Sequence, residues 1–311
     1  MLHGSLKRGH GTRMQPLLET AETVILGKSG QVRLAVACLL AEGHLLIEDL
    51  PGVGKTTLAH TIGRLLGLEF RRLQFTSDML PADVVGASIY DRHRARFDFH
   101  PGPVFTQLLL ADEVNRATPR TQSALLEAME ERQVTTEGET RPLPTPFFVV
   151  ATQNPENQVG TFPLPESQLD RFLMRISIGY PDSQAERQLL AGEDRRHVLA
   201  DTPALLSPEA LQQEQAQVRD VHASDALVAY VQSILAHTRS IPDLQHGLSP
   251  RAGQALLRAA RAWAHLDGRD AVLPEDVQAV FPSVAGHRLQ ARNTAAEAAS
   301  PETLLAAVPV P

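Results

Sequence analysis

Three uninterrupted apolar runs organise the first half of the chain. Leu45 to Ile47, Leu108 to Ala111 and Phe147 to Ala151 each pass straight into polar residues, as strands buried on both faces of a parallel sheet do. A further strand is expected at Met174 to Tyr180. Beyond Pro181 the period changes from strand-like to helical. Asp182 reads as the N-cap of a helix carrying Ala185, Leu189 and Leu190. Residues 224–240 and 249–265 repeat apolar side chains at three and four, as in Ala252, Ala255, Leu256, Ala259 and Trp263, and Pro274 sits at the favoured first turn of one more helix. Between 77 and 105, prolines, glycines and alternating aromatic and charged residues predict a projecting hairpin. The pattern therefore predicts an α/β domain over 16–180, a parallel sheet with helices on both faces. A small helical domain over 181–311 follows, with Trp263 in its core. Residues 1–15 are expected to form a disordered tail, and Met14 opens the patterned region.

Composition narrows the function classes. A chain of 311 residues holds two cored domains. Its net charge of −7 argues against broad electrostatic binding to nucleic acid or anionic membranes. The single cysteine, Cys38, lies in an apolar helical stretch and is expected as a buried thiol, with no intramolecular disulfide. No segment is apolar enough to span a bilayer, no signal-peptide core follows the basic start, and the cytoplasm is the expected compartment. The twelve histidines show no paired metal spacing.

The candidate chemistry sits where the apolar runs end. The first run passes into Pro51, Gly52, Val53, Gly54, Lys55, Thr56 and Thr57. The glycines let successive amides turn inward on a phosphate, Lys55 supplies a point charge for the β and γ phosphates, and Thr56 offers a hydroxyl to Mg²⁺. The helix that follows turns its positive end to the same phosphates. One position departs from the phosphate-loop pattern: Asp49 stands where it has glycine. The second run ends in Asp112 and Glu113, placing two acids at the sheet's carboxyl edge. Asp112 suits a hydrated Mg²⁺ and Glu113 a general base for the attacking water. The third ends in Thr152, Gln153 and Asn154, and Asn154 is expected to sense the γ-phosphate and the water.

In these phrases and their order the chain resembles the AAA+ ATPases, and within them the MoxR family. The likeness is carried by residues 47–56, 74–86, Ala111 to Ala117, 121–131, 151–155, 164–172 and 248–252. The resemblance implies ATP and Mg²⁺ as cofactors and roles that spacing does not give. Arg171 matches the arginine finger that enters a neighbour's nucleotide site, with Arg175 and Arg116 as rivals. Arg251 matches the second sensor, contacting the γ-phosphate from the lid of its own subunit. Gly27 and Lys28 match the adenine-side segment, and the hairpin at 77–105 matches the helix-2 insert, which lines a pore or faces a client. The resemblance further implies a homo-oligomer, a hexameric ring, remodelling client proteins, with a von Willebrand factor A domain protein as partner and complex maturation or metal or cofactor insertion as the work. Two other readings stay open: a nucleotide-gated scaffold with little turnover, and a nucleic-acid motor using Arg92, Arg94 and Arg96 beside Phe97 and Phe99. The chain's acidity argues against the last.

Overall fold

The computed structural model describes residues 14–154, 160–192, 195–290, 292 and 300–310, with the backbone alone at 196 and 197. The expected tail lies outside these residues up to position 13, while Met14 and Gln15 already belong to the first helix. The chain opens with helices α1 (Met14–Val24) and α2 (Ser29–Leu40), then β1 (His44–Glu48), α3 (Lys55–Leu65), β2 (Phe70–Gln74) and the short α4 (Pro81–Val85). The hairpin β3 (Gly86–Asp91) and β4 (Arg96–Pro101) follows, then β5 (Leu108–Asp112) and α5 (Pro119–Glu131). A second hairpin, β6 (Gln133–Thr136) and β7 (Glu139–Pro142), precedes β8 (Phe148–Gln153), the short α6 (Glu166–Leu169) and β9 (Phe172–Ile176).

Strands β2, β5, β8, β1 and β9 form, in that order, a five-stranded parallel sheet. Parallel pairing sends all five carboxyl ends to one edge. The apolar runs serve two cores at once, because successive side chains point to opposite faces. Leu45, Ile47, Leu108 and Leu110 pack with α1, α2 and α3, and Leu46, Leu109 and Ala111 pack with Leu125, Leu126 and Met129 of α5. Cys38 is buried in the first of these cores, where burial pushes its thiol up to about 12.

The helical segment divides in two. Asp182 caps α7 (Ser183–Ala191) through a bond from the Ala185 amide; α7 lies beside Gly27, and α8 (Arg195–Asp201) packs on α1 and α3. Helices α9 (Pro208–Asp220), α10 (Asp225–Ser240), α11 (Pro250–Leu266), α12 (Pro274–Ala285) and α13 (Pro301–Ala306) form a bundle against α2 and β9. Gln215 of α9 donates to the Leu39 carbonyl at 2.9 Å, and Arg33 of α2 lies 4.4 Å over the Trp263 ring. Immediately after α12, Arg288 donates to Asp170 at 2.7 Å and to the Phe172 carbonyl at 2.7 Å, and His287 bonds the same carbonyl at 3.1 Å. A guanidinium whose side chain is 7% exposed ties the bundle to the edge strand by charge-assisted bonds. Among the described residues, none from this bundle lines the cleft beside the glycine-rich loop.

At the amino edge of the sheet, His44 is buried between the Val149 amide, which donates to Nδ1 at 3.0 Å, and the Met129 carbonyl, 3.1 Å from Nε2. The neutral ring satisfies both, and burial lowers its pKa to about 4. Burial likewise pushes His287 well below its ordinary value. Both folded values lie beneath the unfolded one, so below about pH 6.5 the unfolded chain binds more protons and stability falls as pH drops. Each histidine contributes a loss on the order of 1 kcal/mol per pH unit across that window. Thermal unfolding followed from pH 7 to 5 should show Tm falling from about pH 6.5, before carboxylates titrate; a flat Tm down to pH 5 contradicts this.

Candidate functional site

β1 delivers the chain to the carboxyl edge, where Gly52 and Gly54 adopt φ of 86° and 97° and α3 starts at Lys55. An added Cβ at either glycine would meet no atom within 4 Å, so it is the left-handed backbone that calls for glycine there. No side chain caps α3, leaving its first-turn amides oriented toward the loop. Lys55 folds back on the loop: Nζ donates to the carbonyls of Asp49 and Leu50, the latter at 3.1 Å, and to Asn154 Oδ1 at 3.2 Å. Burial lowers the Lys55 pKa, opposed by the charges of Asp49, Asp112 and Glu113.

Asp49, the departure from the pattern, anchors this loop to the end of β9. Its Oδ2 accepts from the amides of Ile178 and Gly179, both at 2.6 Å, and from the Ser177 hydroxyl at 2.9 Å, while Oδ1 accepts from the Leu50 amide at 2.7 Å. Burial would raise this carboxyl, but those hydrogen bonds outweigh it and hold the pKa below its ordinary value.

Asp112 and Glu113 end β5 beside Thr152 of β8. The Thr152 hydroxyl donates to Asp112 Oδ1 at 2.5 Å and accepts from the Glu113 amide at 2.9 Å, so one side chain positions both acids. Glu113 holds a left-handed backbone, φ 56°, and its carboxylate pairs with Arg116 at 2.9 Å. Asp112 Oδ2 takes both Arg72 nitrogens, at 2.6 and 3.1 Å. A guanidinium thus supplies positive charge at Asp112, an anionic oxygen acceptor of the kind that would suit a hydrated Mg²⁺. Asn154 is buried, with its carbonyl accepting from Asn115 Nδ2 at 3.1 Å. The structure thus gathers Lys55, Asp112, Glu113 and Asn154 at the ends of β1, β5 and β8, with Thr56 in the first turn of α3.

A cleft of about 410 Å³ opens beside the loop, a size that suits a nucleotide-class ligand. Val24 to Leu26 and Lys28 line one side, Gly52, Val53, Gly54 and Thr57 the floor, and Tyr180, Leu189 and Leu190 the other wall. Leu190 is 85% and Tyr180 72% exposed, an apolar wall that a flat base would cover. Lys28 Nζ donates to the Tyr180 carbonyl at 2.6 Å. Gly27 and Pro51 do not line this cleft. Gly27, at φ 67°, lets the chain pass α7, since a Cβ there would come within 2.9 Å of the Ala185 Cβ.

The two expected arginines lie at the opposite edge. Arg171 and Arg251 line a 150 Å³ pocket with Gly43 and His44, where β1 begins. β1 has five residues, a span of about 16 Å. Arg171 Nε pairs with Glu130 at 2.8 Å, and Arg251 pairs with Glu130 at 3.3 Å and Asp170 at 3.5 Å. Arg251 therefore lies away from its own phosphate loop in this structure, not beside it as a same-subunit sensor is expected to. Of the rivals, Arg175 is held by Glu48 at 3.0 Å and the Gly286 carbonyl at 2.9 Å, and Arg116 by Glu113 of its own chain.

The roles of Arg72, Thr152 and Tyr180 in the site, and the second hairpin, were not anticipated. Arg72 and Thr152 carry no local pattern. The Glu137-Gly138 turn, with φ of 55° and 81°, was the readable sign of the hairpin.

A phosphate loop, two acids on the next-but-one strand and a helical bundle define an ATPase of the AAA class. Residues 44–174 match the model of the "ATPase family associated with various cellular activities (AAA)" and residues 236–308 that of the AAA lid domain. The chain is 41% identical over 296 residues to Chaperone MoxR1 of Mycobacterium tuberculosis, covering 91% of this chain and 77% of that protein. It is 44% identical to YeaC of Bacillus subtilis over 280 residues, 89% of this chain and 88% of the relative. A crystal structure from Cytophaga hutchinsonii, described as a candidate ATPase, superposes with a TM-score of 0.84 at 35% identity, over 96% of this chain and 95% of that one. The chain belongs to the MoxR family of AAA+ ATPases.

Replacing Asp49 with the glycine of the general pattern should weaken the protein. Asp49→Gly leaves the Ile178 and Gly179 amides without their acceptor, a loss of about 1–3 kcal/mol, read as a lower denaturation midpoint. Unchanged or greater stability contradicts the anchoring role.

Proposed function

We propose that the protein is an ATP-hydrolysing subunit of a ring that remodels or matures client proteins. The carrying observation is the separation of two half-sites, Lys55, Asp112, Glu113 and Asn154 at one sheet edge and Arg171 with Arg251 at the other. A second copy whose arginine edge faces this subunit's phosphate edge completes the site, so both arginines act in trans.

The base lies against Leu190 and Tyr180, and the amides of the glycine loop and α3 hold the phosphates with Lys55. Thr56 and Asp112 would hold Mg²⁺, which would supply positive charge to offset that of the β and γ phosphates. Glu113 takes a proton from the attacking water, with Asn154 orienting that water. For this Glu113 must turn from Arg116, a partly exposed pair of the weak kind. The neighbour's arginines stabilise charge at the γ-phosphate, and the products are ADP and phosphate. At the β3–β4 hairpin, Phe97 and Ile89 are 68% and 56% exposed, which suits a client-facing surface. Arg94 and Arg96 of the same hairpin pair with Asp98, and Arg94 also with Asp91, which weakens a nucleic-acid reading. A hexamer, a von Willebrand factor A domain partner, metal or cofactor insertion and a cytoplasmic setting complete the proposal.

Lys55→Ala should lose nucleotide binding, and Glu113→Gln should bind ATP without turnover. The decisive experiment mixes Lys55→Ala with Arg251→Ala or Arg171→Ala subunits. An intact cradle from one facing intact arginines from the other should restore ATPase activity that each variant lacks alone. A mixture that stays inactive although exchange is demonstrated contradicts the trans placement; an arginine in the order of 10³ or more in rate is at stake.

A further inference from the structure

Glu130 occupies the last turn of α5, where a negative charge faces the helix's own negative end. Helix stability does not account for an acid there. Its two carboxylate oxygens are divided instead: Oε2 forms an ion pair with Arg171 Nε at 2.8 Å and Oε1 accepts from Arg251 Nη1 at 3.3 Å. One arginine comes from the segment before β9 and the other from the first turn of α11, so one anion draws together cations from the sheet domain and the bundle. Two guanidiniums converging on adjacent oxygens is also how arginines grip a phosphate. The surrounding pocket adds Arg132, Arg258 and Arg288 against Glu42 and Asp170. Glu130 is 34% and Arg251 57% exposed at the side chain, and pairs so open to water are weak and exchangeable.

We propose that Glu130 is a positioning residue that stands in for the neighbour's γ-phosphate: it keeps Arg171 and Arg251 converged in the free subunit and is displaced when an ATP-bound neighbour docks. The inference rests on the trans reading above. Its consequence is that assembly responds to the γ-phosphate itself, because the incoming anion and the Glu130 carboxylate compete for the same two cations. Removing that competing charge while keeping the side chain's shape should favour docking of an ATP-bound neighbour and leave an ADP-bound one unaffected.

Sedimentation velocity of the full chain over a concentration series tests this with ATPγS or ADP, for wild type, Glu130→Gln, Glu130→Ala and Arg171→Ala. Both Glu130 variants should lower the concentration for half-assembly about fivefold with ATPγS, with no change in ADP. A structural role for Glu130 would move both nucleotide states together. Equal assembly to wild type, equal change in both nucleotides, or weaker assembly with ATPγS overturns the proposal. Arg171→Ala separates the two layers. If it keeps the wild-type response to the γ-phosphate, the trans reading fails; if it abolishes that response while the Glu130 variants match wild type, only the role of Glu130 fails.

Discussion

The length of one buried strand governs the chemistry of this subunit. β1 carries five residues, His44–Glu48, up to the phosphate loop, about 16 Å. Both of its ends hold functional charge: Lys55 and the β5 and β8 polar groups beyond the carboxyl end, Arg171 and Arg251 beside the amino end. A side chain cannot cross that thickness of packed sheet. On the proposed reading, whatever the arginines do to a phosphate, they do to one that belongs to another copy.

The remaining structure fixes those two edges relative to each other. Asp49 ties the phosphate loop to the end of β9, and Arg175 joins Glu48 to the Gly286 carbonyl behind α12. Arg288 and His287 hold the other end of β9 and the segment carrying Asp170 and Arg171. β9 is thus bonded to the cradle at one end and to the arginine pocket at the other. A shift of the phosphate loop therefore has a short, hydrogen-bonded route to the arginine pocket. Charged groups carry most of that route, although each is chosen by its partner across the fold and not by its sequence neighbours.

That distinction separates what could be read in the sequence from what could not. The sheet was legible because Leu108 to Ala111 and Phe147 to Ala151 are apolar without interruption and end in the polar groups that face the site. The cradle was legible because Gly52, Gly54 and Lys55 answer a local requirement of backbone and charge. The docking of the helical bundle was not. Periodicity reported α11 correctly, yet the side of the sheet that receives it is decided by single long-range contacts such as Arg288 with Phe172 and Arg33 with Trp263, which leave no periodic trace. The same holds for Arg72 on Asp112, for Thr152 between the two acids, and for Leu190, whose exposure looks like a broken pattern until the cleft beside it is seen.

If two copies are needed for one active site, turnover per subunit depends on how many subunits are assembled. ATPase activity per subunit measured across a dilution series of the wild-type chain, at saturating Mg²⁺-ATP, is the most direct measurement. The account predicts that specific activity falls toward zero as the protein dissociates, in step with the loss of the assembled species. A specific activity that stays constant when only monomers remain would contradict it.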